Sequence, residues 1–212
     1  MKYIKPSITI ENEVCGKVIL RSIEKAGRVC YKSEENISEE SAEIFVGSIL
    51  KSGHESVIEH QNITVRVICD RGVTHEIVRH RIASYSQEST RYCNYSSNKF
   101  GNELTYIEPC FWKGENDIKK MEVWLDTMTY IENKYIELID MGATPQEARS
   151  ILPNSLKTEI VMTMNLREWR HFLKLRTSKA AHPQMREVAI MILNEFKDSI
   201  PVIFDDIEVA KE

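Results

Sequence analysis

The sequence has few of the residues that divide a chain into separate domains. Among 212 residues there are only 8 glycines and 6 prolines, and they form no low-complexity linker. No shift in composition and no internal repeat marks a boundary, and a chain of this length can bury one sizeable core. We therefore expect a single domain over residues 1–212.

Cysteine pairs and long apolar runs are also missing. The cysteines are odd in number and contain no Cys-x-x-Cys pair, and they stand at positions 15, 30, 69, 93 and 110. This spacing favours reduced thiols over a disulfide framework or a zinc knuckle. No apolar run approaches the roughly 20 residues of a membrane span, and the first six residues lack the apolar run of a secretory signal. We expect a cytoplasmic protein without a membrane partner.

Positive charge is not in excess either. The formal net charge is −4, whereas proteins that grip DNA or RNA neutralise phosphates with surplus lysine and arginine. Nucleic acid is therefore not an expected partner. Local clusters of basic residues stand out against this acidic background.

Hydrophobic periodicity predicts a mixture of strands and helices. A period of two indicates strands at residues 61–69 and 156–164, with a weaker one at Ile8 and Ile10. A helical period indicates six helices, at residues 16–31, 38–51, 72–82, 115–141, 166–177 and 184–199. Ser38 is the expected cap of the second helix, and a Ser/Tyr-rich loop is expected over residues 84–97. The class predicted is α+β, with several long helices and more helix than strand.

Several of these helices have an apolar stripe that can be named in advance. For the helix over residues 184–199 the predicted stripe is Met185, Val188, Ala189, Ile192, Leu193 and Phe196. For the helix over residues 115–141 the predicted stripe is Ile118, Met121, Leu125, Met128, Tyr135 and Leu138. For the helix over residues 166–177 it is Leu166, Phe172, Leu173 and Leu175.

The densest polar cluster covers residues 79–92. It holds three arginines, one histidine, three serines and one threonine in 14 residues. Arginine forks match phosphate oxygens, and hydroxyls with loop amides complete a cradle for an anion. Tyr85, Tyr92 and Tyr95 are suited to stacking on a planar heterocycle. The pattern indicates a nucleotide-sized anion site, and the alternative is a solvated basic helix end followed by a polar loop.

A second basic cluster covers residues 165–176. On a helix Arg167 and His171 share a face, and Arg176 lies on the last turn. The alternative is an ordinary basic helix packed by its apolar stripe.

Metal binding and a protein nucleophile have weaker support. Residues 54–60 read His-Glu-Ser-Val-Ile-Glu-His, but the zinc-protease pattern needs histidine at the position of Ile58. His54, Glu59 and His60 are not brought together by local geometry, so we expect no metal site. Ser89 lacks a Gly-x-Ser-x-Gly elbow and is predicted to bind a ligand rather than to attack one, and Cys93 is not expected to be catalytic.

The motif Arg79-His80-Arg81, followed after seven residues by Ser89 and then by Arg91-Tyr92, resembles the signature of the flavin-dependent thymidylate synthases. The resemblance continues in that family's order through residues 53–60, 148–153, 165–176 and 180–184, and altogether it spans residues 53–187. This is far more specific than any single motif.

The resemblance implies an enzyme that methylates dUMP to dTMP. The carbon would come from the folate 5,10-methylenetetrahydrofolate, and FAD reduced by NADPH would supply the hydride, which removes the need for a protein nucleophile. The resemblance also implies a homotetramer with active sites at subunit interfaces, and a fold other than the Rossmann fold. The absence of a Gly-x-Gly-x-x-Gly loop agrees with the last point.

Site residues follow from the resemblance. Those assigned to FAD are His54, Ser56, Arg79, His80, Arg81, Gln87, Asn165, Arg167 and His171. Those assigned to dUMP are Glu76, Arg79, Gln87, Glu88, Ser89, Arg91, Arg149 and Arg176. Arg176 would activate the pyrimidine, and because a guanidinium is no base near neutral pH, we expect it to stabilise negative charge on the uracil ring.

The sequence departs from the family at a few positions. Many members carry Asn-Glu where this chain has Ser86-Gln87, glutamine is common where it has Glu76, and asparagine occurs where it has His171. Two other functions stay open: a flavin NADPH oxidase, which would form no dTMP, and a non-catalytic nucleotide-binding or RNA-binding module, which would be colourless.

Overall fold

The computed structural model describes residues 1–209. Its strands and helices, in chain order, are β1 (Lys2–Ile4), β2 (Ser7–Ile10), α1 (Gly16–Arg28), α2 (Ser41–Lys51), β3 (Asn62–Asp70), α3 (Arg71–Ile77), β4 (Ser84–Gln87), β5 (Thr105–Ile107), α4 (Ile118–Asp140), α5 (Pro145–Ala148), β6 (Lys157–Asn165), α6 (Leu166–Arg176), α7 (Pro183–Ser199) and α8 (Pro201–Phe204). Short 3₁₀ helices occur between some of them, among them Glu55–His60. The predicted α+β class with an excess of helix is confirmed.

The strands form two sheets. β1 pairs with β5 in parallel, with Lys2 opposite Thr105 and Ile4 opposite Ile107. The other sheet has the order β2-β3-β6-β4, and its two long strands bury alternate residues as the period of two predicts. Over residues 1–209 this is not the doubly wound parallel sheet of a Rossmann fold, so that prediction is also confirmed.

The chain divides into two compact units, each assembled from separate segments. Unit 1 consists of Met1–Ser7, Val67–Arg79 and Ser86–Ile160. Unit 2 consists of Ile8–Arg66, His80–Tyr85 and the described chain from Val161 onward. The expectation of a single domain over residues 1–212 stays a prediction, and residues 210–212 of that span lie outside the described residues.

The core of unit 1 includes one side of α4. Trp124, Met128 and Tyr135 are buried there in one cluster with Tyr106. The stripe predicted for this helix is partly wrong, because Ile118 is 59% exposed and Trp124, which was not part of it, is buried. Ile118 is the first residue of the helix, where the chain has only just left a 3₁₀ turn.

The core of unit 2 includes α6 and α7. Trp169 packs edge-on against Phe196 at a centroid distance of 5.0 Å, and its indole N–H donates to the carbonyl of Ile63 on β3 at 3.0 Å. Leu175 was wrongly assigned to the stripe of α6 and is 47% exposed. At about 100° per residue it lies on the far side of the helix from Leu173.

Three local predictions differ from the structure. α2 begins at Ser41 rather than near Ser38, and the Ser41 hydroxyl donates to buried Glu24 at 3.0 Å. The predicted loop over residues 84–97 begins with β4, whose alternating pattern is polar and therefore lacked an apolar signal. α3 ends at Ile77, five residues before the predicted end.

Within residues 1–209, no helix combines the length and the apolar character needed to cross a lipid bilayer.

Candidate active site

The junction between β6 and α6 organises the polar part of unit 2. Asn165 ends the strand, and its side-chain oxygen accepts a hydrogen bond from the backbone N–H of Glu168 at 2.8 Å. This is a helix N-cap, which satisfies an amide that the first turn leaves without a partner. The helix begins directly after this cap. Arg167, His171 and Lys174 then follow at spacings of four and three residues, so they lie on one face of the helix.

A pocket of about 580 Å³ lies on this face. Its lining consists of Asn165, Arg167, Glu168, Arg170, His171 and Lys174 from the α6 region, together with Glu55, Glu59 and Ile82. The volume falls within the range of roughly 300–1,000 Å³ typical of small-molecule sites. Three residues predicted to bind flavin, Asn165, Arg167 and His171, therefore come together in one cavity.

Ion pairs cross the pocket. Arg167 donates to Glu59 at 2.6 Å, and this contact raises the pKa of the guanidinium. Arg170 donates to Glu55 at 3.0 Å. The Arg167 side chain is 53% exposed and that of Glu59 is 42% exposed, so solvent and salt screen their attraction and the pair contributes little to stability. An anionic ligand can therefore displace Glu59 from Arg167 at little cost.

His80 is buried beside this pocket and makes a hydrogen bond through each ring nitrogen. Nδ1 lies 3.2 Å from a carboxylate oxygen of Glu168, and Nε2 accepts from Nε of Arg176 at 3.1 Å. The ring packs edge-on against Phe172 at a centroid distance of 4.8 Å. The phenol of Tyr85 donates to the carbonyl oxygen of His80 at 2.6 Å, so backbone and ring are both held.

Burial, followed by the charges of Arg176 and His171, lowers the pKa of His80 to about 4. His80 is therefore neutral near pH 7. Its contact with Glu168 satisfies the distance for a salt bridge, but it is a hydrogen bond between a neutral imidazole and a carboxyl group. Burial also raises the pKa of Glu168, with His171 opposing that shift.

Two residues of this network were missed by sequence reasoning. Glu168 is buried on α6, and its only sequence signal is that it stands three residues before His171 on the same helix face. Tyr85 was considered only for stacking, whereas its hydroxyl holds His80. Burial, with the charge of Glu168, raises the pKa of Tyr85 to about 12.

The one group of metal-type donors that the described residues bring together is His80, Glu168 and His171, whose donor atoms lie within 4.8 Å of one another. It is not the group of His54, Glu59 and His60, at which the sequence analysis expected no metal site. Both ring nitrogens of His80 are already hydrogen-bonded, one of them to the cationic Arg176. The arrangement therefore assigns these residues to a hydrogen-bonding network, because a bound cation would have to displace one of those contacts.

Most residues predicted to bind dUMP belong to unit 1. Gln87 is held by two threonines, and its amide nitrogen donates to the hydroxyl of Thr74 at 3.1 Å and to that of Thr158 at 3.3 Å. Both amide protons are thereby used, which leaves the carbonyl oxygen as the recognition group of this side chain.

Glu88 is held by two partners. One carboxylate oxygen accepts from the phenol of Tyr95 at 2.7 Å, and the other accepts from Lys157 at 2.8 Å. Tyr95 is buried, so it contributes to the core and to the orientation of Glu88, and it does not form a stacking platform.

The segment that follows Glu88 contains one exposed arginine, Arg91, and contacts another, Arg149. Arg149 donates to the hydroxyl of Thr90 at 3.4 Å, and the backbone N–H of Arg91 donates to the hydroxyl of Ser89 at 3.3 Å. The Arg91 guanidinium lies 5.4 Å from the ring centre of Tyr92. Unit 1 therefore joins Arg149 to the segment Ser89–Tyr92 and presents guanidinium groups to solvent.

Several other residues that were predicted to bind FAD or dUMP do not line the pocket on α6. His54 and Ser56 are exposed and do not line the pocket, although Glu55 between them does. Arg79 and Arg81 are exposed, and Glu76 is partly buried, with its backbone carbonyl accepting from the N–H of Arg79 at 3.2 Å. A larger groove of about 1080 Å³, lined by α1, α2 and Val202, contains none of the predicted site residues.

Comparison with known proteins gives the family. The model of the family described as thymidylate synthase complementing protein matches residues 18–202. The flavin-dependent thymidylate synthase of Pyrococcus furiosus is 40% identical over 176 residues, which cover 81% of this chain and 70% of the relative. That of Geobacter sulfurreducens is 35% identical over 188 residues, which cover 85% and 78%.

The fold is similar to that of a solved enzyme. Crystal structures of the UMP/dUMP methylase PolB from Streptomyces cacaoi include one bound with 5-Br dUMP. That structure superposes with a TM-score of 0.80 at 21% identity and covers 97% of this chain and 96% of its own. The matched residues, the order of the motifs and the fold agree, and the chain belongs to the thymidylate synthase complementing protein family, that of the flavin-dependent thymidylate synthases.

Proposed function

We propose that this chain catalyses the reductive methylation of dUMP to dTMP, with 5,10-methylenetetrahydrofolate as carbon donor and FAD reduced by NADPH. The observation that carries the proposal is the pocket on α6, where Asn165, Arg167 and His171 line one cavity. These are three of the residues that the family resemblance assigns to the flavin.

The donor groups of that pocket suit FAD. Its diphosphate is an anion, and Arg167, Lys174 and His171 present N–H donors along one helix face. Ile82 adds an apolar contact for a planar ring. These residues would hold FAD, which would supply the redox chemistry of the reaction.

The basic group of unit 1 suits dUMP. Arg91, Arg149 and Ser89 provide two guanidiniums and a hydroxyl, which is the usual composition of a phosphate site. Gln87 presents an amide oxygen that can accept from a base or a sugar hydroxyl.

Arg176 belongs to unit 2, and its proposed role is electrostatic. Its permanent positive charge would stabilise the negative charge that develops on the uracil ring when the N3 proton is lost. The resemblance implies active sites built from several copies of the chain, so Arg176 and the residues around the phosphate need not come from one copy.

Assembly and location complete the proposal. We include a homotetramer on the strength of the resemblance, and light scattering of the purified protein tests it. We include the cytoplasm because the cysteines are odd in number and contain no Cys-x-x-Cys pair, a pattern that favours reduced thiols.

An anaerobic experiment tests the function. The visible spectrum of the purified protein is recorded, NADPH is added, then methylenetetrahydrofolate with dUMP, and dTMP is assayed. We expect a flavin band that bleaches with NADPH and returns only with both substrates, together with dTMP.

Two outcomes would contradict the proposal. A flavin that bleaches and reoxidises in air without any dTMP formation would favour the NADPH oxidase. A colourless protein that takes up no FAD and forms no dTMP would leave only nucleotide binding.

A further inference from the structure

The contact between Arg176 and His80 determines which nitrogen of His80 carries the proton. An arginine side chain can only donate hydrogen bonds, and its Nε lies 3.1 Å from Nε2 of His80. Nε2 must therefore be the unprotonated acceptor. The proton of the neutral ring is then on Nδ1, which lies 3.2 Å from a carboxylate oxygen of Glu168.

The two hydrogen bonds form one directed chain. Nδ1–H of His80 donates to Glu168, and Nε–H of Arg176 donates to the lone pair on Nε2 of His80. The other neutral tautomer would place two N–H groups against each other at the Arg176 contact and would leave Nδ1 facing the carboxylate without a proton. The Glu168 carboxylate is thus the acceptor that makes the Arg176 contact possible.

The residues packed around the His80 imidazole limit how it can rearrange. His80 is buried, and Glu168 is buried except where it lines the pocket, so the packed chain leaves water little access to the contact between them. Phe172 packs against the ring, and Tyr85 holds the backbone carbonyl of His80. A ring that lost its acceptor at Nδ1 would bury an N–H without a partner, so this hydrogen bond would no longer favour the tautomer that accepts from Arg176.

We propose that Glu168 is a positioning residue for Arg176, acting through His80 by selecting the tautomer that accepts from the Arg176 guanidinium. Glu168 need not touch dUMP, folate or FAD for this role. The catalytic half of the proposal rests on the function proposed above, whereas the link from Glu168 to His80 and Arg176 does not.

Three variants separate the role in positioning from a role in folding. Glu168→Leu removes the acceptor while it keeps an apolar side chain of similar size. Glu168→Gln keeps an acceptor, because its amide oxygen can face Nδ1–H. Glu24→Leu is the matched control: Glu24 is also a buried carboxylate on a helix of unit 2, where it accepts from Arg28 at 2.7 Å and from Ser41 at 3.0 Å. Neither substitution at position 168 removes the backbone N–H that Asn165 caps.

The first readout needs no activity. In the ¹⁵N spectrum of the flavin-bound protein labelled at histidine and arginine, and assigned with His80→Gln, His80 should show a protonated Nδ1 and an unprotonated Nε2. The Nε–H of Arg176 should be protected from exchange with solvent. Both signatures should persist in Glu168→Gln and Glu24→Leu and should be lost in Glu168→Leu. If Glu168→Leu does not fold, Glu168→Ala is read in the same way.

The second readout is the steady-state rate of dTMP formation. A displaced catalytic group costs on the order of 100-fold in rate, so kcat of Glu168→Leu should fall by about that factor, and by more than the change in KM for dUMP. Glu168→Gln should restore most of kcat, and Glu24→Leu should change stability without changing kcat.

Each result decides a part of the proposal. A Glu168→Leu variant that keeps the His80 tautomer and the Arg176 protection overturns it, whatever its activity. Loss of both signatures with kcat unchanged overturns the catalytic half. If the wild type forms no dTMP, the proposed function fails, and the NMR signatures alone decide the link from Glu168 to Arg176.

Discussion

Arg170 and Asp206 form a two-point ion pair, with Nη1 2.6 Å from Oδ1 and Nη2 2.7 Å from Oδ2. The guanidinium is buried on α6, and it also donates to Glu55 and to the carbonyl of Ile203. One side chain thus ties α6 to the 3₁₀ helix Glu55–His60 and to the segment that follows α8. Arg170 lines the pocket, and these contacts give it a structural role there.

Replacement of Arg170 by methionine should lower the free energy of unfolding. Methionine keeps an apolar stem but leaves the carbonyl of Ile203 and the two carboxylates without their donor, so we expect a loss of about 1–3 kcal/mol. Urea unfolding measures it, and Lys197→Met, on the neighbouring helix α7, is the control. An unchanged midpoint for Arg170→Met would show that the pair contributes nothing net.

The same pair should make stability depend on acid pH. Its hydrogen bonds with Arg170 hold the pKa of Asp206 below its usual range. The folded state therefore releases the proton more readily, so this contribution is fully present above about pH 4, the ordinary pKa of aspartate, and it is lost as the pH falls through the lower folded pKa. Asp206→Asn should flatten the loss of stability in acid, as measured by urea unfolding at several pH values. Equal slopes for the two proteins would remove Asp206 from the acid response.

Two glycines of unit 2 should respond oppositely to alanine. A Cβ on Gly16 would overlap the backbone carbonyl oxygen of Ser199, which cannot move as a side chain does. A Cβ on Gly47 would meet only a methyl of Val202 at 3.9 Å. We expect Gly16→Ala to destabilise by about 1–3 kcal/mol and Gly47→Ala to stabilise by about 0.5–1 kcal/mol through helix propensity. Thermal unfolding of both variants measures the contrast, and a stabilised Gly16→Ala would show that this close approach is absent.

Arg176→Ala should reduce dTMP formation to a trace of the wild-type rate while the protein stays folded and yellow. Removal of one group that stabilises charge in a transition state costs on the order of 100- to 1,000-fold in kcat. The assay is single-turnover dTMP formation with prereduced flavin, and the visible spectrum reports retained cofactor. Retained turnover would remove Arg176 from the mechanism.

Ser89→Ala should weaken dUMP binding but leave measurable activity. Loss of one hydrogen bond to a charged phosphate corresponds to about 1.5–3 kcal/mol, or roughly a 10- to 150-fold rise in Kd. Titration calorimetry measures it, with Ser52→Ala, at an exposed serine of unit 2 that lines neither pocket, as the control. Complete loss of chemistry with normal dUMP affinity would instead make Ser89 a nucleophile.

The elements that sequence periodicity predicted well are those whose burial follows a regular repeat. β3 and β6 bury alternate residues, and all six apolar residues that define the stripe of α7 are buried. β1, β5 and α5 are too short for such a repeat, and β4 alternates with polar side chains only. β1, β4 and β5 depend on pairing partners far away in the chain, so no local pattern could predict them. α5 does have a local signal, a capping box between Thr144 and Glu147, but a search for hydrophobic periodicity does not detect it.

The sequence by itself determined the chemistry that is available: two arginine-rich segments in a net acidic chain, and a match to one family over residues 18–202. Only the tertiary structure decided which of those groups act together. It paired His80 with Glu168, 88 residues away, and with Arg176, 96 residues away, and it buried the first two. Hydrogen bonds form according to distance in space, and burial is a property of the packed chain, so the proton position on His80 became readable only after folding.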